Sequence, residues 1–243
     1  MKQLALEGVE GRRRKRRPRG APRLGRPPRP ERVGMLPHVA RPEHVEGHPV
    51  HVSMKRVRLG PNLRAQRVHL AIVEQIARAV KRGVKVVHYS IQEDHLHLMV
   101  EGASKQDLAR GLKLLFSRIA FAVNRVARRH GSLFRERHHR RALTTPTEVR
   151  NALVYILFNA RKHALADGSY RAAFFRFLDD KSSAPWFEGW HASFAPYPRI
   201  IERAREHWPG KAPIHPPTTW LAAKGWQRAG GPLRFDALPR LQH

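Results

Sequence analysis

The stretch VKVVHYSIQEDHLHLMVE, Val84 to Glu101, decides the fold. It holds two short runs suited to strands, Val84 to Ile91 and His95 to Glu101, and the polar Gln92, Glu93 and Asp94 between them fit a tight hairpin. Side chains alternate across a strand, so His95 and His97 share one face while Leu96 and Leu98 take the other, the face of a core. Two imidazoles side by side are half of a metal site. On its own, a His-x-His pair is more often the wet face of a half-exposed strand, so its meaning depends on what the rest of the chain brings near it.

Upstream, HPVHVSMKRVRL (His48 to Leu59) places Val50, Val52, Met54 and Val57 in an imperfect alternation that predicts a strand. Residues 64–82 then space Val68, Ile72, Ile76, Ala79 and Val80 three and four apart, with Arg64, Arg67, Arg78 and Lys81 elsewhere, which predicts an amphipathic helix closed by Gly83. Downstream, Ser104-Lys105-Gln106-Asp107 is a capping box that opens a second helix. Leu108, Leu112, Leu115, Ile119, Val123 and Val126 mark its buried stripe; Arg110, Lys113, Arg118, Arg125, Arg128 and Arg129 are left for solvent or phosphate. GSLFRERHHRRALT, residues 131–144, is expected to form a basic strand, and Thr145-Pro146-Thr147-Glu148 caps a third helix with proline in its first turn. The order strand, helix, strand, strand, helix, strand, helix predicts an α/β (α+β) chain with a ferredoxin-like βαββαβ antiparallel sheet and one added helix.

Residues 1–46 carry RRRKRRPRG (Arg12 to Gly20) and further Arg and Pro, a composition that buries almost nothing and predicts a disordered basic arm. The ordered domain is expected over 47–164. From 165 to 243 periodicity fades and all five tryptophans fall among Pro and Gly, which predicts a partly irregular extension packed back on the domain. The 243 residues carry 47 Lys and Arg against 19 Asp and Glu, a formal charge of +28, so a polyanion is the expected partner. Without an apolar run near 18 residues or a basic amphipathic anchor, a membrane role is not expected. Cysteine is absent, which excludes a disulfide framework, a thiolate nucleophile and a Cys-ligated zinc site. The opening MKQLALEGVEG has no apolar leader, and a cytoplasmic, nucleoid-associated protein is expected.

The third helix gives the histidine pair its meaning. Asn151, Tyr155, Asn159 and His163 recur every four residues as a polar stripe beside the apolar Val149, Ala152, Leu153, Ile156 and Ala160. Taken singly, Tyr155 reads as a boundary tyrosine, the commoner fate of tyrosines on amphipathic helices, and Asn159 as a surface amide. If the stripe lies over the face that bears the histidines, two imidazoles, an amide oxygen and a phenol converge, a set sufficient for phosphoryl transfer. His95, His97 and the Asn159 side chain would hold Mg2+ or Mn2+, and Tyr155 would attack phosphorus, leaving a 5′-phosphotyrosine and a free 3′-hydroxyl. That linkage conserves the energy of the cut bond, so another 3′-hydroxyl can rejoin it without ATP.

HYSIQEDHLHLMVE (His88 to Glu101), FRERHHRRAL (Phe134 to Leu143) and VRNALVYILFNARKHA (Val149 to Ala164) together resemble the single-tyrosine HUH transposases, especially the REP-associated tyrosine transposase branch. The resemblance covers about residues 48 to 164, and DKSSAPWFEGW (Asp180 to Trp190) is similar to that branch's C-terminal extension. His95-Leu96-His97 fills the family's His-hydrophobic-His motif, Tyr155 its nucleophile position and Asn159 its third ligand position, where many relatives carry glutamine. Relatives also often show Asn-Pro-Val-Arg-Ala where this chain has Asn159-Ala160-Arg161-Lys162-His163. What the resemblance implies is single-stranded DNA as substrate, a folded hairpin or palindromic element end, cut and rejoined without synthesis. Arg135, Arg137, His138, His139, Arg140 and Arg141 are the expected DNA-binding residues. A homodimer in which Tyr155 reaches another subunit's histidines is compatible with its place on a helix.

Three rival readings stay open on sequence grounds. A domesticated enzyme would keep the site and process chromosomal hairpins. A binding-only module would hold nucleic acid on the sheet, although the aromatic strand pattern of an RNA-recognition module is missing. A metal hydrolase would use the same ligands and tolerate loss of Tyr155.

Overall fold

Alternation of apolar and polar side chains forms the first strand, β1 (Val50–Lys55), with Val50, Val52 and Met54 buried and Lys55 exposed. In the computed structural model the described residues are 44–79, 83–166, 168, 177–206, 208 and 211–236. The predicted basic arm lies outside them apart from residues 44–46, and Val80 lies outside them too. After β1 come α1 (Gln66–Ala77), β2 (Lys85–Ile91), β3 (His95–Glu101), α2 (Lys105–Val126), β4 (His139–Ala142), α3 (Pro146–Leu157) and α4 (Asn159–Ala166). The strands stand in the order β2-β3-β1-β4 with every neighbour antiparallel. This is the ferredoxin-like βαββαβ sheet that the sequence predicts, followed by the added helix.

Both predicted caps form. Ser104 Oγ accepts from the Asp107 amide at 3.0 Å, and Thr145 Oγ1 accepts from the Glu148 amide at 3.2 Å, each satisfying a free donor of a first turn. Helix α1 is shorter than expected: it ends at Ala77 with Arg78 as its cap, and Gly83 instead takes a positive φ of 81° in the turn before β2. Helices α1 and α2 cover one face of the sheet. Val52, Tyr89, Leu96, Leu98 and Val100 from the strands pack there with Ile72, Ile76, Leu112, Leu115 and Ile119 from the helices.

The predicted basic strand over 131–144 is only partly a strand. Between the pairs Ser53–His139 and Arg56–Phe134 this segment advances five residues while β1 advances three, so two residues are extruded from the ladder. The apolar Leu133 and Phe134 dictate the break, because Leu133 is buried in the helical-side core and the Phe134 ring stands 5.5 Å from that of Phe116. The C-terminal segment covers the other face and the outer edge of β2. Met99, Leu153, Ile156, Leu178, Phe187, Leu221, Trp226 and Leu233 form a second core there, with α5 (Pro198–Arg205) and α6 (Trp220–Ala223) contributing to it. Lys181 O accepts from the Ile91 amide at 2.9 Å, and Ser183 N donates to Tyr89 O at 2.9 Å, which closes an edge that would otherwise present unpaired backbone groups.

His88 illustrates the cost of that closure. Its ring is buried, hydrogen-bonded to Ser183 Oγ at 3.1 Å, and burial outweighs the attraction of Glu101 to push its pKa down to about 4. An unfolded histidine titrates near 6.5. Since the folded value is depressed, the unfolded chain binds the extra proton first, and the stability present above pH 6.5 is lost progressively as pH falls toward 4. We expect this residue alone to contribute about 3 kcal/mol to that loss at about 1.4 kcal/mol per pKa unit. Urea unfolding at pH 7, 5.5 and 4.5 should show a shallower pH slope in His88→Gln than in the parent chain; equal slopes would contradict the assignment.

Candidate active site

The face of the sheet opposite α1 and α2 carries the polar side chains of alternate strand positions. Across β3, β1 and β4, His97 stands opposite Ser53, His51 opposite Met99 and Arg141, and His139 opposite Ser53. Directly paired residues point the same way, so His95, His97, His51, His139 and Arg141 share this face. Helix α3 lies against β2 and β3 on the same side. It delivers Tyr155, whose hydroxyl stands 3.3 Å from His97 Nε2, with the ring 4.8 Å from the imidazole in an edge-on contact. The phenol and the histidine pair predicted from separate segments are therefore brought together.

The imidazoles form a connected group. The rings of His95 and His97 are 4.7 Å apart and nearly perpendicular. His95 Nδ1 pairs with Asp94 Oδ1 at 2.6 Å, which fixes the ring and leaves Nε2 as its free donor atom. Partial burial pushes the Asp94 carboxyl upward, but hydrogen bonds to His95 and Lys55 outweigh it and hold the group below the ordinary range. His97 Nδ1 lies 3.2 Å from His51 Nε2. Burial above all, then electrostatic repulsion from the nearby His51, His95, Lys162 and His163 side chains, push the His97 pKa down to about 2. The ring is neutral at physiological pH, the state a metal ligand requires. Burial, with Arg141 and His139, likewise pushes His51 down to about 4.

The polar stripe expected along one continuous helix is broken. Helix α3 ends at Leu157, Phe158 has φ −113° and ψ 20°, and α4 begins at Asn159. The cause is tertiary: Phe158 is drawn into the second core, 5.7 Å from the Trp190 ring, and the Arg161 guanidinium stacks on it at 4.7 Å. Asn151 stays exposed, while Asn159 is fully buried and neither of its amide atoms has a hydrogen-bond partner. A buried amide without partners costs about 1–3 kcal/mol, a penalty that a bound cation would relieve at the oxygen. Among the described residues no three His, Asp or Glu side chains form a group able to hold a metal ion. Were His95 and His97 to hold a cation, a third protein ligand would come from another residue type, and Asn159 has an amide oxygen without a partner.

The six basic residues of 135–141 do not form one surface. His139 and Arg141 are exposed on the site face, and Arg141 also pairs with Glu148 at 2.9 Å. His138 is buried on the opposite side with its ring stacked 5.4 Å from Phe116, because it alternates with the site-facing His139. Arg135 is exposed, and Arg137 and Arg140 are half-buried. Three site neighbours, His51, Asp94 and Lys162, were not expected there, and His163 was placed on the polar stripe without a role. Lys162 holds its ammonium 4.3 Å from the centre of the Tyr155 ring, and the exposed His163 ring lies 5.8 Å from that of His95. For His51 a signal exists in the sequence, since inward Val50, Val52 and Met54 leave it on the other face of β1. A cavity of about 300 Å³ lined by Val87, His88, Trp186, Phe187 and Trp226, among others, contains none of these site residues.

Fold and site together define an α+β chain in which the sheet face opposite α1 and α2 brings a histidine pair against a helix-borne tyrosine. No family model matches the chain, and no curated protein matches it. Among solved structures it is similar to a REP-associated tyrosine transposase bound to a REP hairpin, at 15% identity over 51% of this chain and 73% of that one, with a TM-score of 0.42. It is similar also to a bacterial tRNA(His) guanylyltransferase-like protein in complex with GTP, at 14% identity over 53% of this chain and 70% of that one, with a TM-score of 0.40. Likenesses this distant leave the function to be read from the chain's own geometry. Among the described residues no helix is long and apolar enough to cross a membrane.

Proposed function

We propose that this chain is a transposase-type enzyme that cuts and rejoins single-stranded DNA through a covalent tyrosine intermediate. The observation that carries the reading is the approach of Tyr155 Oη to His97 Nε2, 3.3 Å across 58 residues of sequence, on the face that also bears His95. A tyrosine packed only for its ring has no need of such a partner.

In this reading the Tyr155 oxygen forms a bond to phosphorus and the bond from phosphorus to the 3′ oxygen breaks. The phenolic proton is lost, the leaving 3′ oxygen gains one, and the 5′ phosphate remains on Tyr155 as a diester. Attack by the 3′-hydroxyl of another strand reverses these changes and joins DNA. A divalent cation, Mg2+ or Mn2+, held by His95, His97 and Asn159 would polarise a non-bridging phosphate oxygen. Asp94 orients His95, and the hydrogen bond between His51 and His97 orients the second imidazole. His139 and Arg141, exposed on the same face, and the formal charge of +28 are suited to a phosphodiester backbone. The DNA partner is proposed as a hairpin or palindromic end, with monomer and homodimer both compatible with the site.

The test is incubation of purified protein with labelled single-stranded DNA hairpins and Mn2+, read on a denaturing gel. Cleavage should stop on chelation of the metal and fall roughly 100-fold or more in His97→Ala, the scale of a lost Lewis acid. Tight binding without cleavage across diverse hairpins would overturn the proposal in favour of a binding module.

A further inference from the structure

The proposed chemistry asks of a third histidine, His51, only that it orient the His97 ring, and leaves open which of the two imidazoles donates. His51 Nε2 lies 3.2 Å from His97 Nδ1, the two rings stack with centroids 5.3 Å apart, and the His51 ring also meets the edge of Tyr155 at 5.8 Å. We infer that His51 is a positioning residue that holds His97 as the Nδ1–H tautomer and so turns the lone pair of its Nε2 toward the Tyr155 hydroxyl.

Only one hydrogen can lie between the two imidazole nitrogens, and its ownership decides what His97 presents on its other side. If His51 Nε2–H donates to His97 Nδ1, then His97 carries its hydrogen on Nε2 and points an N–H at Tyr155. If His97 Nδ1–H donates to His51 Nε2, the Nε2 lone pair faces Tyr155, whose O–H can donate to it. The second pattern matches each group to its stronger role. A phenol gives its proton readily and accepts weakly, because its oxygen lone pairs delocalise into the ring, whereas an unprotonated imidazole nitrogen is a strong acceptor. Both contacts use the stronger donor and the stronger acceptor only when His51 serves as the acceptor. Its own hydrogen then sits on Nδ1.

The position of His51 follows from the backbone. It lies in β1 between the buried Val50 and Val52 and pairs with Met99, so its side chain reaches across to His97, two residues before Met99 in β3. The inference rests on the proposed use of His97 Nε2 as a donor atom, and goes beyond it by naming the residue that makes this atom available. A metal-ligating histidine whose other nitrogen loses its partner loses ligand orientation and basicity, at a typical cost of about 10–100-fold in metal affinity.

The test uses the full chain labelled with ¹⁵N-histidine. Imidazole ¹⁵N spectra distinguish a protonated Nδ1 from a protonated Nε2, and the His97 signals are identified by their loss in His97→Gln. In the parent chain His97 should carry its hydrogen on Nδ1. His51→Leu, which keeps the bulk and lacks an acceptor, should move His97 toward the Nε2–H form and weaken Mn2+ binding in calorimetry by about 10–100-fold. His51→Gln should restore both readings, because its side-chain oxygen takes the place of the imidazole Nε2, and circular dichroism checks that each variant is folded. An Nε2–H His97 in the parent chain, or a His97 tautomer unchanged by His51→Leu, would overturn the inference. The tautomer is read without DNA or metal, so a chain that never cleaves DNA would sink the proposed function while His51 is still judged on the spectrum.

Discussion

Tyr155→Phe is expected to lower strand cleavage by about 1,000-fold or more and to abolish every covalent protein–DNA adduct, while leaving folding and DNA affinity nearly unchanged. The substitution removes one oxygen. The ring contacts with His97 and His51 at 4.8 and 5.8 Å, and the Lys162 ammonium over the ring, remain available to phenylalanine. The weak contact of the hydroxyl with His97 at 3.3 Å contributes about 1 kcal/mol at most to stability. Loss of a nucleophile, by contrast, removes the bond-forming atom itself, and such losses are among the largest single-residue effects on rate. Rates are to be measured under single turnover, so that slow rejoining does not mask the cut. Cleavage that survives in Tyr155→Phe would show that water attacks, and the site would be that of a hydrolase.

The second large effect concerns stability. Glu101 ends β3, is 3% exposed, and accepts four hydrogen bonds: from the amides of Thr218 and Thr219 at 2.8 and 2.9 Å and from their hydroxyls at 2.6 and 2.7 Å. This carboxylate ties the sheet to the start of α6, whose Leu221 and Ala222, with Trp226 beyond it, pack in the second core beside α3. Glu101→Ala would strand buried donors and leave a cavity, and we expect a loss of about 3–5 kcal/mol in urea unfolding. Thr218→Ala and Thr219→Ala, which keep the backbone donors, should each cost about 1 kcal/mol. A loss below 1 kcal/mol in Glu101→Ala would mean that the C-terminal segment is held by its apolar contacts alone.

The sheet was legible in sequence because its signals are local. Period-two alternation in Val50 to Met54 and in His95 to Val100, the hairpin residues between Ile91 and His95, and the caps at Ser104 and Thr145 each act within a few residues of themselves. What sequence reading missed depends on partners far along the chain. The helix break at Phe158 is set by Trp190 and by Arg161, which stacks on both Phe158 and Phe235. The irregular run from Arg135 to His138 arises because Phe116, on a different helix, receives both Phe134 and the His138 ring. Periodicity alone does not reveal such pulls, and it led to a straight polar stripe through Asn159 and to an unbroken basic strand over residues 131–144.

The candidate site divides along the same line. Alternation was enough to put His95 and His97 on one face and Tyr155 on a helix. The meeting of Tyr155 with His97, and of His51 with both, required the strand order and the placement of α3. His51 could have been read as facing away from Val50 and Val52; that its face is also the face of His97 follows only from the pairing of β1 with β3. The burial of Asn159 had no local signal, since the same residue type at the same helical spacing leaves Asn151 exposed.

The most direct measurement of the central claim is peptide mass spectrometry of the protein after reaction with a single-stranded DNA hairpin and Mn2+ and digestion of the attached strand. The account predicts a nucleotide joined through a phosphodiester to the peptide that contains Tyr155, and a free 3′-hydroxyl on the released fragment. Cut DNA with an unmodified Tyr155 peptide, or an adduct on any other residue, would contradict it.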